Sequence, residues 1–186
     1  KHMAKYPIYE LRHYLNHLGF SNQNKEIPTI NIKLSDKELQ DAKVILDEIV
    51  QNDKKTIAIF TFATGPKCYS PEWWNPVYEK LANTFPNYNI VEVLPVENVS
   101  QIGFKAPSFY SKDVREIAAF IANTEIFIGA DSGIMHLACA SQTPVIGLFS
   151  VTIPEKYEPY GNNSIAIDTN KHDYESIINL VKERLG

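Results

Sequence analysis

"EIFIGADSGIMHLACASQTPVIGLF", residues 125–149, decides how this chain is read. Residues 125–130 form a short apolar run of strand length, and 144–149 form another. Between them, 132–141 has the composition of a buried helix. Strand, helix and strand in immediate succession imply a right-handed crossover and parallel pairing. The turn into the helix carries Asp131, Ser132 and Gly133, and His136 follows in the first helical turn. The first backbone N–H groups of a helix have no internal acceptor, and the helix dipole adds partial positive charge there, so such a turn suits an anion. Gly133 lets a bulky anion approach the backbone. An imidazolium at a helix N-terminus is unfavourable alone and favourable beside a phosphate. Asp131 fits less simply: it caps the helix or accepts a hydrogen bond from a ligand hydroxyl. The plain alternative is a capping Asp131 and a locally packed His136, with no ligand.

Outward from this stretch the alternation continues. TIAIF (56–60), NIVEVL (89–94) and SIAID (164–168) bring the expected strands to five. A helix is expected from Ser70-Pro71-Glu72, with Pro at the first helical position and Trp74, Val77, Tyr78 and Leu81 along one face. Another is expected over 111–122, where Asp113 and Glu116 have capping-box spacing. A last one covers 173–185, with Asp173 as cap and Lys182 and Arg184 near its negative end. The expected fold class is α/β: a Rossmann-like, mostly parallel sheet with helices on both faces. Ligands of such sheets bind beyond the carboxyl ends of the strands, which directs attention to the loops after the first four.

Before residue 55 the pattern differs. Pro7 opens a helix with Ile8, Leu11, Leu15 and Leu18 at helical spacing and Gly19 at its end. SNQNKEIPTINIKL (21–34) reads as a polar connector. Ser35 and Glu38 then form a capping box for a helix carrying Leu39, Ala42, Leu46 and Ile49. The expected organisation is a cloning remnant over 1–3, a helical linker or arm over 4–54, and the Rossmann-like domain over 55–186.

Bulk properties narrow the function. The net charge of −4 and the absence of a Lys/Arg cluster argue against an extended nucleic-acid surface. Cys68 and Cys139 are too few for a disulfide framework and fit a reducing compartment. The apolar window around 117–130 is broken by Asn123, Thr124 and Glu125, so no transmembrane segment is expected. His13, His17 and His172 lack partners at metal-ligand spacing, so no metal site is expected. There is no nucleophile elbow of the GxSxG kind.

Three further loops hold candidates. Thr64, Gly65 and Lys67 follow a buried strand and precede a helix, as in a phosphate-binding turn, although neither a Walker loop nor GxGxxG is present. Lys67 alternatively is a solvated surface lysine. Glu97, beyond the second strand, meets ribose hydroxyls or simply water, and Asp168 has the same two readings. Trp73 and Trp74 divide between surface and core.

DSGIMHLACASQTPVIGLF (131–149) resembles the Asp-Ser/Thr-Gly-x-x-His-Leu-x-x-Ala…Pro-x-x-x-Leu-Phe signature of the bacterial lipopolysaccharide heptosyltransferases, inverting glycosyltransferases of the GT-B class. The likeness runs from the first strand to EPYG (158–161). It departs at Cys68-Tyr69-Ser70, where that family has a basic residue, Trp and Pro after the lysine. The resemblance implies the carboxyl-terminal, donor-binding half of a GT-B enzyme, with the two leading helices as the segment joining the halves. Asp131, Ser132, Gly133 and His136 would meet the diphosphate and sugar of a nucleotide-sugar donor such as ADP-heptose. Thr64, Gly65 and Lys67 would serve the diphosphate, and Glu97 the ribose. Lys67 and His136 would act catalytically by stabilising the leaving group, with no metal and no cofactor beyond the donor. The general base and the site for a glycan or lipid-linked acceptor would lie in an amino-terminal half before residue 1. The implied location is the cytoplasm, with peripheral contact at the inner membrane. Two alternatives stay open: a non-catalytic nucleotide-binding or interaction module, and a GT-B-like sugar-nucleotide epimerase.

Overall fold

The computed structural model describes residues 2–21 and 26–186. Lys1 of the expected cloning remnant and residues 22–25 of the connector lie outside the described residues. In chain order the elements are α1 (Tyr6–His17), α2 (Asp36–Val50), β1 (Thr56–Phe60), α3 (Pro71–Thr84), β2 (Asn89–Val93), β3 (Ser108–Phe109), α4 (Val114–Ala122), β4 (Ile126–Ala130), α5 (Gly133–Ala140), β5 (Val145–Phe149), α6 (Pro154–Tyr157), β6 (Ile165–Asp168) and α7 (Tyr174–Leu185).

Six parallel strands lie in the order β3-β2-β1-β4-β5-β6, the doubly wound Rossmann arrangement. All five expected strands form. The sixth, β3, is only two residues long and exists through its pairing of Ser108 and Phe109 with Glu92 and Val93. Strand alternation sends Ile57, Ile59, Ile126 and Ile128 to one face, where Trp74, Val77 and Leu81 of α3 and Ile178 and Val181 of α7 cover them. Ala58, Phe60, Val91 and Phe127 point to the other face, under Ala42 and Leu46 of α2, Ile117 of α4, and Met135 and Ala138 of α5. Each fully buried Ile, Leu, Val, Phe or Met side chain among these contributes about 1.5–3 kcal/mol relative to exposure.

α2 is thus part of the covering layer and packs along α4. α1 differs: none of its residues is buried, and Leu11, Tyr14 and Leu18 are exposed. The capping box at Ser35 and Glu38 forms, and Asp173 caps α7. The box expected at Asp113 and Glu116 forms only by half. Asp113 accepts from the N–H groups of Arg115 and Glu116, but the Glu116 carboxylate takes the Ser111 hydroxyl, which itself accepts from the Asp113 N–H. Ser111 intercepts the return bond.

One glycine sets the position of α5. A Cβ on Gly147 of β5 would lie 2.8 Å from Met135 Sδ and 2.9 Å from Pro159 Cδ. Its absence lets α5 settle close to the sheet and presents the helix N-terminus at the strand ends.

Candidate active site

β1 and β4 are neighbours, yet from β1 the chain runs outward to β2 and β3 before crossing back. This reversal opens a crevice at the carboxyl ends of the two strands, where ligands of doubly wound sheets bind. The crevice holds a cleft of about 650 Å³, within the range of small-molecule sites. Thr64, Lys67, Glu97, Ser132, Gly133 and His136 line it, so the fold gathers six of the eight candidates from three separate loops. Gly65 does not line it; with φ of +63° it turns the chain into the short 3-10 turn that ends at Lys67. Asp131 does not line it either, being buried directly behind the wall.

Asp131 is the centre of the arrangement. Its backbone N–H donates to Leu148 O at 3.1 Å, continuing the β4–β5 ladder by one step. Its Oδ2 accepts from Thr152 Oγ1 at 2.7 Å and lies 3.5 Å from Lys67 Nζ. Its Oδ1 is 3.9 Å from His136 Nε2. A buried carboxylate needs such partners, because an isolated buried charge is costly. Asp131 is therefore not the helix cap. Ser132 is, its Oγ accepting from the Met135 N–H at 3.2 Å. With the Met135 N–H satisfied, the amides of Gly133 and Ile134 have no helical acceptor, and both residues line the cleft.

His136 is half-buried, and its Nδ1 is buried with no hydrogen-bonding partner among the described residues. Burial pulls its pKa below the ordinary 6.5; Asp131 opposes this, while His2 and Lys67 add to it. This lowering favours the neutral ring at pH 7. The crevice combines a lysine, a titratable imidazole and open amides around a buried carboxylate. Such a set is chemically suited to a polyanion, whose charge would favour a proton on the imidazole.

Two residues here escaped the reading of the sequence. Thr152 sits in the loop after β5, one of the loops the sheet rule singles out, but SVTIP carries no pattern that marks it. Ile30 lines the cleft from the segment read as a connector. Asp168 lies elsewhere, paired with Lys171 at 2.9 Å. Trp74 is in the core and Trp73 at its margin. Among the described residues no group of three or more His, Cys, Asp or Glu is placed to hold a metal ion, and no helix is long and apolar enough to cross a membrane. Both cysteines are free thiols.

A doubly wound sheet with an anion-suited crevice at its reversal point defines the class: a Rossmann-like domain of the kind from which GT-B enzymes are built. Residues 112–180, spanning α4 to α7, match Glycosyltransferase family 9 (heptosyltransferase). Over these residues the chain is similar to that family, and its fold is similar to those of solved proteins described as family 9 glycosyl transferase and heptosyltransferase. The chain is 24% identical over 135 residues to the lipopolysaccharide core heptosyltransferase OpsX of Haemophilus influenzae, a match covering 66% of this chain and 38% of that protein. Its fold is similar to that of a family 9 glycosyl transferase from Veillonella parvula, with a TM-score of 0.78 at 16% identity, over 93% of this chain and 58% of that one. It is also similar to the E. coli ADP-heptose lps heptosyltransferase II, with a TM-score of 0.69 at 15% identity, over 89% of this chain and 55% of that one. The chain thus spans between 38% and 58% of the length of these relatives. Thr64, Gly65, Lys67 and Glu97 lie before the matched segment, and Asp131, Ser132, Gly133 and His136 within it.

Proposed function

We propose that this chain binds the nucleoside-diphosphate-sugar donor of an inverting GT-B glycosyltransferase, with ADP-heptose as donor and a lipopolysaccharide glycan as acceptor. The names of the relatives support that donor and acceptor. One observation carries the reading: Lys67, His136 and the open amides of α5 converge on one crevice from strands adjacent in the sheet but distant in sequence.

In the reaction, an acceptor hydroxyl oxygen attacks the anomeric carbon from the face opposite the diphosphate. The new C–O bond forms as the bond to the diphosphate breaks, and the electron pair leaves with the nucleoside diphosphate. The acceptor proton passes to a general base outside this chain, in an acceptor-binding half. Negative charge grows on the leaving group, and groups aimed at that charge lower the barrier more than groups that merely bind donor. Lys67 Nζ supplies a full positive charge, and the Gly133 and Ile134 amides supply fixed dipoles. His136, whose pKa burial lowers, gains a proton beside the diphosphate. Asp131 holds Lys67 from behind and leaves its cleft side open.

Calorimetric titration of the 186-residue chain with ADP, UDP and GDP tests this directly. The expected result is saturable binding of ADP, tighter than UDP or GDP, with no sugar transfer by the chain alone. Failure of all three to bind sinks the reading.

A further inference from the structure

The cleft has a second end. Along α5 from Gly133, the lining changes from polar to apolar through Ile134, Leu137 and Ala140, faced by Val114 of α4 and by Ile30. Gly133 to Ala140 is about 10 Å of helix. That is comparable with the distance from a diphosphate to the far edge of its base.

Ile30 comes from outside the domain as read from the sequence, on a described segment running from residue 26 into α2. This segment is seated firmly. Ile32 N–H donates to Ala140 O at 2.9 Å, and Gln142 Nε2 donates to Ile30 O at 2.7 Å, fastening the segment to the end of α5. Gly161 lies so close to Thr29 that a Cβ on it would be 2.6 Å from Thr29 Cγ2. From α4, next to Val114, Arg115 reaches across. Its guanidinium donates to Ile32 O at 3.2 Å, to Lys33 O at 3.0 Å, and to both carboxylate oxygens of Glu38 at 2.5 and 2.9 Å. A planar guanidinium answered on two edges fixes geometry in a way a single lysine contact cannot. This pairing, with the Ser35 bonds, holds the Glu38 carboxyl down at about 2.

We infer that segment 26–34 is part of the ligand site: Ile30, fixed by the Arg115–Glu38 clamp, forms the wall against which a nucleobase packs. The inference rests on the donor-site reading above and deepens it. Ile30 touches the base and contributes to the preference for a nucleotide over a bare diphosphate. Arg115 and Glu38 are positioning residues: they touch no ligand and act by holding Ile30 over the apolar end. An apolar wall set in advance gives affinity because no ordering cost is met on binding.

The test separates the two ends of the cleft. The full chain is titrated calorimetrically with inorganic pyrophosphate, which occupies only the polar end, and with ADP, which needs both. Ile30→Ala is expected to weaken ADP about five- to tenfold, as for loss of a packed apolar side chain, and to leave pyrophosphate unchanged. Arg115→Gln is expected to show the same selective loss at about three- to fivefold, and the double variant less than the product of the two, since both act through one wall. If Arg115→Gln lowers the melting temperature sharply, Ile30→Ala and Glu38→Gln keep the comparison. Equal weakening of both ligands, or of neither, overturns this inference alone. Binding of neither ligand by the unaltered chain overturns the donor-site reading, and the wall with it.

Discussion

Two carboxylates are buried at the ends of the strands that flank β1, and they are held differently. Glu92 of β2 is fully enclosed and, among the described residues, meets hydroxyls alone, those of Thr61 and Ser100. Those hydroxyls in turn accept from the backbone N–H groups of Gln101, Ile102 and Phe104, so Glu92 staples a loop to the sheet. With no cation beside it, burial raises its pKa above the ordinary 4.5. Asp131, after β4, meets one hydroxyl, a lysine and a histidine. Burial is common to both and so marks neither as functional. What distinguishes Asp131 is a cationic partner that is itself partly exposed to the cleft and can be shared with a ligand.

That contrast breaks or sharpens under substitution. The largest effect is expected at Lys67→Ala, which removes a charge-assisted contact of about 2–3 kcal/mol and should weaken ADP about 30- to 150-fold by calorimetry. Glu92→Gln should leave ADP affinity within about twofold, as expected of a site with no shared partners. Similar losses at both positions would erase the distinction drawn here.

His136 gives the next largest effect. Burial holds its pKa below 6.5, and a diphosphate beside it would raise it, so binding would take up a proton. ADP should therefore bind more tightly as pH falls, about three- to tenfold between about pH 8 and about pH 6. His136→Gln should flatten that profile. A profile that persists in the variant assigns the proton elsewhere.

Thr152→Val deprives Asp131 of its hydroxyl donor. A loss of about 1–3 kcal/mol in denaturant unfolding is expected, with a smaller change in ADP affinity. The smallest effect belongs to Glu92. Because its folded pKa is raised, the group contributes stability that is fully present below 4.5 and is lost as pH rises through the raised value. The unaltered chain should lose stability over that window relative to Glu92→Gln, read from unfolding midpoints. An opposite slope would mean that Glu92 is held ionised.

The main strands were legible because a parallel strand buried on both faces is a continuous apolar run, as in TIAIF and EIFIGA. β3 was not, since two residues show no period and become a strand only by pairing with β2. At α4 the local capping rule was sound, but the pattern could not say that Ser111 would compete for Glu116. The turn at Asp131-Ser132-Gly133 was legible as an anion-suited helix start, because open amides follow from helix geometry alone. Whether Asp131 or Ser132 capped that helix was not, because the answer depends on Thr152 and Lys67, which only folding brings near. Ile30 was hidden for the same reason: it falls in the connector over 21–34, which is largely polar in composition, and its place at the cleft is set by Gln142, Ala140 and Arg115.

The reversal between β1 and β4 has a practical corollary. Neither the lysine turn nor the helix start is half a site by itself, since each needs the other strand beside it, so unfolded chain has nothing with which to grip an anion. Occupancy must then add to the free energy of folding in proportion to the logarithm of ligand concentration. Melting curves recorded against a panel of nucleotides would rank them without any transfer assay.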